Sequence, residues 1–362
     1  MTKQGITIVA ITHRGVGTAL KIQKALDICG LSAIVCAPKK YSQPGVTAIE
    51  TNLADFIKEN YNKTKALVAV MATGIIIRAV APLLESKLTD PPVIGVDATG
   101  KFVISLLSGH LGGANDLTRT IAAGINATPV ITTASDALGK QSADELARTM
   151  HLTIQNPDSL VAVNSAIVND GNLAAILVDD IKMPLEALSD FDIKKVQTST
   201  QAIEIIDTHY DAGIIITQNP LATIKSKKPL TILNAKRIIV GLGARKDTPA
   251  KDIVTTVEKA LAQIHVPLQR VTAFATVDIK RNSQPMLDAV EALGAPLEFL
   301  SVDALRSVTY ADLSPDSAMV QQKIGVGGVC ERAALLIAGN NSKLILKKTK
   351  LNGTTVAVAE AE

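Results

Sequence analysis

Tryptophan is missing from these 362 residues, and only five phenylalanines and four tyrosines are present. So thin an aromatic supply excludes a stacking platform for nucleobases and leaves the cores to Ile, Val, Leu and Ala. An excess of either charge is missing too. The 37 Lys and Arg stand against 34 Asp and Glu, a net +3, which is no electrostatic footprint for a nucleic acid. Cys29, Cys36 and Cys330 form no CxxC pair; an odd count in a chain of this length points to reduced thiols in a cytoplasmic protein rather than a disulfide framework. Five histidines, at 13, 110, 151, 209 and 265, have neither HxH nor HExxH spacing, so no protein-held metal is expected. A long uninterrupted apolar run is also absent. The run at 6–11 is too short for a signal peptide. The stretch 66–84 would carry Arg78 near a bilayer centre, at about 3 kcal/mol, and Gly74 and Pro82 divide it. It reads as a buried strand at 66–71 running into a helix, so no membrane association is expected.

Hydrophobic residues make up 47% of the chain, ample for packed cores; at about 150 residues per domain the length suits two or three domains. Glycine marks the divisions: 13 fall in 1–150, two in 151–235 and eight in 236–362. The first region alternates short apolar runs (6–11, 31–36, 66–71, 92–97, 102–107, 129–132) with helical patterns, the signature of a parallel sheet covered by helices. The last region restarts that alternation and ends in a hairpin around Asn352-Gly353. The expected fold is α/β: an N-terminal α/β domain with a mainly parallel sheet (1–150), a small middle domain (151–235) and a C-terminal α/β domain (236–362).

Chemistry concentrates at strand-to-helix junctions. Phe102 to Asp116 reads FVISLLSGHLGGAND: a strand, a loop with Gly109, Gly112 and Gly113, then a helix. Glycines let backbone N–H groups approach a ligand, and a helix start favours anions. Ser108, the three glycines and Asn115 are therefore candidate ligand contacts. His110 is the candidate proton-transfer group; the alternative is a tight βα turn with His110 bonded locally. The loop fits neither GxGxxG nor GxxxxGK[ST]. Arg78, among apolar neighbours, needs an anion: Asp90, Asp97 or a ligand carboxylate. Asp97 and Asp136 follow strands whose ends a parallel sheet gathers at one edge, which makes them candidate bases or orienting groups, or else turn and capping residues. Gly241-Leu-Gly-Ala-Arg245-Lys246 reads as an anion-binding loop. Gly325-Val-Gly327-Gly328 opens a helix whose first turn carries Glu331, a helix-start residue or a second acid/base. Cys330 reads as a small buried residue rather than a nucleophile, with no histidine nearby in sequence.

Several blocks converge. IRAVAP (77–82), KLTDP (87–91), SLLSGHLGGAN (105–115) and ITTASD (131–136) resemble the N-terminal signature of the cobalt-precorrin-5A hydrolase family, CbiG, of anaerobic cobalamin biosynthesis. VGLGARKDT (240–248), ATVDIK (275–280) and GVGGVCERAAL (325–335) resemble its C-terminal part, which is similar to the CobE protein of the aerobic pathway. Three positions depart from the family pattern. Ala98 replaces a glutamate, Ala244 replaces a cysteine, and Arg281-Asn-Ser-Gln284 lacks an acidic residue. The resemblance implies opening of a δ-lactone on a cobalt tetrapyrrole, with loss of the former meso carbon and its methyl as acetaldehyde. It also implies that cobalt arrives with the substrate and no cofactor is held. His110 would move the proton, Asp97 or Asp136 would orient it, and Glu331 would be a second acid/base. Arg78, Arg245 and Lys246 would hold substrate carboxylates. The alternatives are a corrinoid carrier without chemistry and, more distantly, a sugar-phosphate or nucleotide enzyme. Other cobalamin-biosynthesis enzymes or a second copy of the chain are candidate protein partners.

Overall fold

The computed structural model describes residues 5–86, 89–178, 180–223, 225–311, 313–315, 321 and 325–361. Residues 1–4, Lys87 and Leu88, part of the N-terminal and 87–91 readings, lie outside them. The chain forms two compact units, Met1–Glu145 and Leu146–Glu362. The second holds both the middle and the C-terminal regions, each with its own sheet.

In the first unit, β1 (Ile6–Ala10), β2 (Ala33–Pro38), β3 (Val46–Ile49), β4 (Leu67–Val70), β5 (Val93–Val96), β6 (Phe102–Leu107) and β7 (Thr128–Val130) form one sheet in the order β3-β2-β1-β4-β5-β6-β7. Side chains alternate between its faces. Ile6, Ile8 and Ala10 pack in the core holding Val16, Ile22 and Leu26 of α1 (His13–Ile28) and Ile121 of α4 (Ala114–Ile125). Val9 packs in the core holding Ile57 of α2 (Leu53–Asn60) and Ile76 and Val80 of α3 (Thr73–Val80). Two covered faces explain why the strands read as continuous apolar runs. Neighbours from β3 to β5 are parallel, but β5 and β6 are antiparallel, and β7 runs with β6. Two short helices, α5 (Ala134–Leu138) and α6 (Ala143–Thr149), follow β7. The stretch 66–84 divides into β4, α3 and a 3₁₀ turn; among the described residues no helix is long and apolar enough to cross a membrane.

In the second unit, β8 (Thr153–Ile154), β9 (Leu173–Val178), β10 (Asp192–Val196), β11 (Ala212–Thr217) and β12 (Leu230–Asn234) form a sheet ordered β10-β9-β11-β12-β8, with α7 (Leu160–Val168) and α8 (Ser199–His209) between its strands in sequence. The third sheet is ordered β15-β14-β13-β17-β16, from β13 (Ile238–Ala244), β14 (Val271–Val277), β15 (Leu297–Leu300), β16 (Lys343–Leu351) and β17 (Thr354–Glu360). One face packs on α9 (Ala250–Gln263) and α10 (Gln284–Leu293). The other packs on α11 (Val302–Arg306) and α12 (Val329–Ala338). The expected hairpin forms: Asn352 and Gly353 take φ values of 48° and 77°, the left-handed pair a two-residue turn requires. Gly241 belongs to β13, not to a loop. A Cβ there would lie 1.8 Å from the Cys330 carbonyl oxygen, so glycine is what lets α12 lie against the strand.

Candidate functional site

The reversal at β6 decides which residues meet. Because β6 runs back along β5, its end, and that of β7 beside it, lie at the sheet edge opposite the end of β5. β6 delivers the loop carrying His110, and β7 leads into α5, whose third residue is Asp136. Asp144 comes from the first turn of α6. His110 Nε2 lies 3.1 Å from Asp136 Oδ2, and Nδ1 lies 3.4 Å from Asp144 Oδ2. The Ser135 hydroxyl is 2.9 Å from Nε2. Only 16% of the His110 side chain is exposed. Bonding to Asp144 is the largest influence on the ring and raises its pKa above that of a free imidazole; with the help of Asp136 it outweighs burial, which acts to lower it.

Asp136 is the hub. Its Oδ2 accepts from Asn115 Nδ2 at 2.8 Å and from Thr133 Oγ1 at 2.6 Å, and Arg119 donates to Oδ1. Burial acts to raise its pKa, but the bonds from Thr133, Arg119 and His110 together hold it below the usual carboxylate range. Asn115 is 3% exposed; its Oδ1 accepts from Ser105 at 2.7 Å. Asn115 thus fixes Asp136 and is not available to a ligand, which corrects its placement among substrate contacts. The hydroxyl of half-buried Ser108 donates to the Asp90 carbonyl at 2.9 Å, which leaves its lone pairs to accept. The loop glycines also make room for the protein itself. A Cβ on Gly109 would meet Asn115 Oδ1 at 2.8 Å, and one on Gly112 would meet Ser108 Cβ at 2.5 Å. Gly113 takes φ 84° to start α4, and its N–H donates to the His110 carbonyl. The N–H groups of Gly109, His110, Leu111 and Gly112 make no hydrogen bond to another described residue, so they are the amides the loop leaves unspent.

Other sequence candidates part from His110. Asp97 closes the β5–β6 turn at the opposite edge. Its carboxylate accepts from Thr99 N, Thr99 Oγ1, Lys101 N and Phe102 N at 2.5–2.8 Å. Burial acts to raise its pKa, and these bonds outweigh it and lower it. It is a turn residue, not the group orienting His110. Arg78 is exposed, not desolvated. It donates to the Gly74 carbonyl at 3.1 Å and makes no ion pair among the described residues, since Asp90 instead accepts from the Glu85 and Ser86 backbone. Glu331 is fully buried and accepts from Ser314 N (3.0 Å), Ser314 Oγ (2.7 Å) and Lys348 N (2.9 Å). With its oxygens spent on backbone and hydroxyl donors it braces α12 against β16, which removes it from the acid/base candidates.

In the second unit a cavity of about 420 Å³ opens where β13 and β14 end, lined by Arg245 and Gly328 among others. Gly328, at φ 56°, caps α12. Lys246 is exposed and does not line the cavity; Gly327 does not line it either, and its carbonyl accepts from Arg332 at 3.1 Å. Cys330 lines the cavity, but burial pushes its thiol up to about 11, which disfavours a thiolate nucleophile there.

Residues 55–136 match the family described as Cobalamin synthesis G N-terminal, and residues 238–359 match Cobalamin synthesis G C-terminus. The chain belongs to the CbiG family. Among its relatives, a protein of Priestia megaterium named cobalt-precorrin-5A hydrolase is 27% identical over 374 residues, spanning 99% of this chain and 96% of its own. A protein of the same name from Salmonella typhimurium strain LT2 is 27% identical over 360 residues, spanning 99% and 98%. The CobE protein of a Sinorhizobium species is 30% identical over 122 residues, which make up 34% of this chain and 79% of that protein. The CobE likeness read from the C-terminal motifs is thereby found.

The CbiG N-terminal match ends at Asp136, so Asp144 lies beyond it. Sequence reasoning passed over Asp144, Ser135 and Arg119. Asp144 reads as one more acidic residue in a helix's first turn, and nothing local announces that it faces His110. One ligand atom from each of His110, Asp136 and Glu145 lies within 4.8 Å of the others. This CbiG chain therefore holds a grouping of metal-ligand type that histidine spacing alone could not reveal. Asp136, however, is already bonded by Asn115, Thr133 and Arg119, and both His110 nitrogens face carboxylates. That donor set suits a held proton better than a held ion.

Proposed function

We propose that this chain is a cobalt-precorrin-5A hydrolase, acting in the cytoplasm on a cobalt tetrapyrrole and holding no cofactor of its own. The observation that carries the reading is the His110 ring clasped by two carboxylates next to unspent amides, in a chain that aligns end to end with relatives named for this reaction. Water adds to the lactone carbonyl, releasing one proton to solvent, and the N–H groups at 109–112 meet the developing oxyanion, an effect of roughly 3 kcal/mol per donor in comparable sites. His110, whose protonated form Asp144 and Asp136 favour, gives its proton to the departing alkoxide and opens the ring. The neutral imidazole then takes the proton of the freed hydroxyl. The carbon–carbon bond breaks, acetaldehyde leaves, and the electron pair left on the macrocycle carbon takes the proton from the His110 imidazolium, which the proton released by the water then restores. One water is consumed, and one carboxylic acid and one acetaldehyde are formed, giving cobalt-precorrin-5B.

The test is anaerobic incubation with cobalt-precorrin-5A and trapping of acetaldehyde. The reading requires one acetaldehyde per substrate consumed. Tight binding without acetaldehyde would leave a carrier and overturn it.

A further inference from the structure

The cavity in the second unit has an arrangement that the chemistry at His110 does not use. Its floor is apolar, with Ala244, Val277 and Val329, and four cations line it: Arg245, Lys280, Lys348 and Lys350. Among the described lining residues no carboxylate stands. The four cations come from separate places: the end of β13, the 3₁₀ turn Asp278–Lys280 after β14, and the hairpin strand β16. The start of α12, at Gly328 and Val329, opens onto the same space and adds the positive end of a helix. Lys348 is partly engaged, donating to the Pro315 carbonyl at 2.8 Å. Lys280 is not. It is half-buried and makes no hydrogen bond or ion pair with any described residue, and burial lowers its pKa. A half-buried ammonium with no counter-ion among the described residues costs free energy until an anion arrives, and a fold that converges four like charges on one hollow raises that cost.

We infer that this cavity is a recognition site for the carboxylate-bearing edge of an amphipathic ring, with Lys280 as the residue that selects an acidic arm over a neutral one. The apolar floor takes the ring edge, and the cations take its arms. That the ring is a tetrapyrrole rests on the proposed hydrolase reading; the demand for an apolar body with several carboxylates rests on the cavity alone. Sequence reasoning had two of the lining residues, Arg245 and Gly328. Lys280 appears in the sequence only as the end of the ATVDIK block, and Lys348 and Lys350 only as part of the closing hairpin, because nothing in sequence spacing says that a turn after β14 and a strand near the C-terminus share a hollow.

The experiment uses the full-length protein and two probes: cobyrinic acid, a corrin with free carboxylate arms, and its fully methyl-esterified form. The acid should bind at least about tenfold more tightly than the ester, as charge-assisted bonds require. Lys280→Gln should remove most of that preference, Lys280→Arg should keep it, and Lys350→Gln should reduce it. Equal affinity of acid and ester for the wild-type protein, or an unchanged preference in both Lys280→Gln and Lys350→Gln with unchanged melting temperatures, would overturn the inference. If the wild type releases no acetaldehyde from cobalt-precorrin-5A yet shows the Lys280-dependent preference, the hydrolase reading falls while the acidic-ring site stands.

Discussion

A histidine with a carboxylate on each nitrogen behaves unlike one with a single partner. Asp136 is immobilised by Asn115, Thr133 and Arg119, so it orients the ring; Asp144 contributes most to holding the proton. The pH consequences have opposite signs for the two residue types. The folded His110 pKa lies above that of free imidazole, about 6.5. Its contribution to stability is therefore complete below about pH 6.5 and is lost as pH rises through the folded value. Asp136 has a lowered pKa, so its contribution is complete above the usual aspartate range and is lost as pH falls through its folded value. If His110 is the proton donor proposed, its protonated form should set the alkaline limb of kcat. Asp144→Asn should move that limb to lower pH and reduce kcat at pH 8 more than at pH 6, with little change in KM. An unmoved limb would show that Asp144 does not govern the ring.

At the scale of elements, one strand direction and one close approach matter most. Removing the space at Gly241 tests the second. Gly241→Ala drives a Cβ into the Cys330 carbonyl at 1.8 Å, backbone against backbone, and should cost about 3 kcal/mol or more. Urea melts of the purified variant measure it, and wild-type stability would mean that β13 and α12 slide apart freely. The first explains what was legible in the sequence. His110 and Asp136 could be found because each follows a β-strand at a strand-to-helix junction, and their strands, β6 and β7, are parallel. Asp97 was assigned to the same edge on the same reasoning, and it lies at the other, because β6 is antiparallel to β5. Apolar runs covered on both faces carry no mark of direction; only the tightness of the turn at 98–100 hinted at it. The glycines of the SGHLGGAN loop were legible as a close approach, but not whose atoms approach. Glu331 was visible as a helix-start acid; that Ser314 and β16 would occupy it depended on a long-range return of the chain.

The whole molecule depends on joints that composition does not display. Arg270, 3% exposed, donates from Nε to the Met150 carbonyl at 3.0 Å, from Nη1 to Lys182 at 3.1 Å and from Nη2 to Lys236 at 2.9 Å. Burial lowers its pKa to about 10, so it stays charged at neutral pH. This one side chain ties the start of β14 to segments flanking the middle sheet, and gives a physical reason why 146–362 is one unit although two sheets share it. Arg270→Ala leaves three carbonyls unpaired, each worth about 1 kcal/mol or more. In denaturant titration the wild-type unit should unfold in one transition and the variant in two; a single unshifted transition in the variant would show that the sheets are held together elsewhere.

The claim on which the functional account stands is that His110 moves the proton that breaks the lactone and frees acetaldehyde. Replacing it while keeping the loop intact is the direct test: single-turnover acetaldehyde release from saturating cobalt-precorrin-5A by His110→Gln beside the wild type, with corrinoid binding measured on the same samples. A fall in rate of at least about a hundredfold, with binding preserved, is the expected result. Release at the wild-type rate by the folded variant would contradict the account.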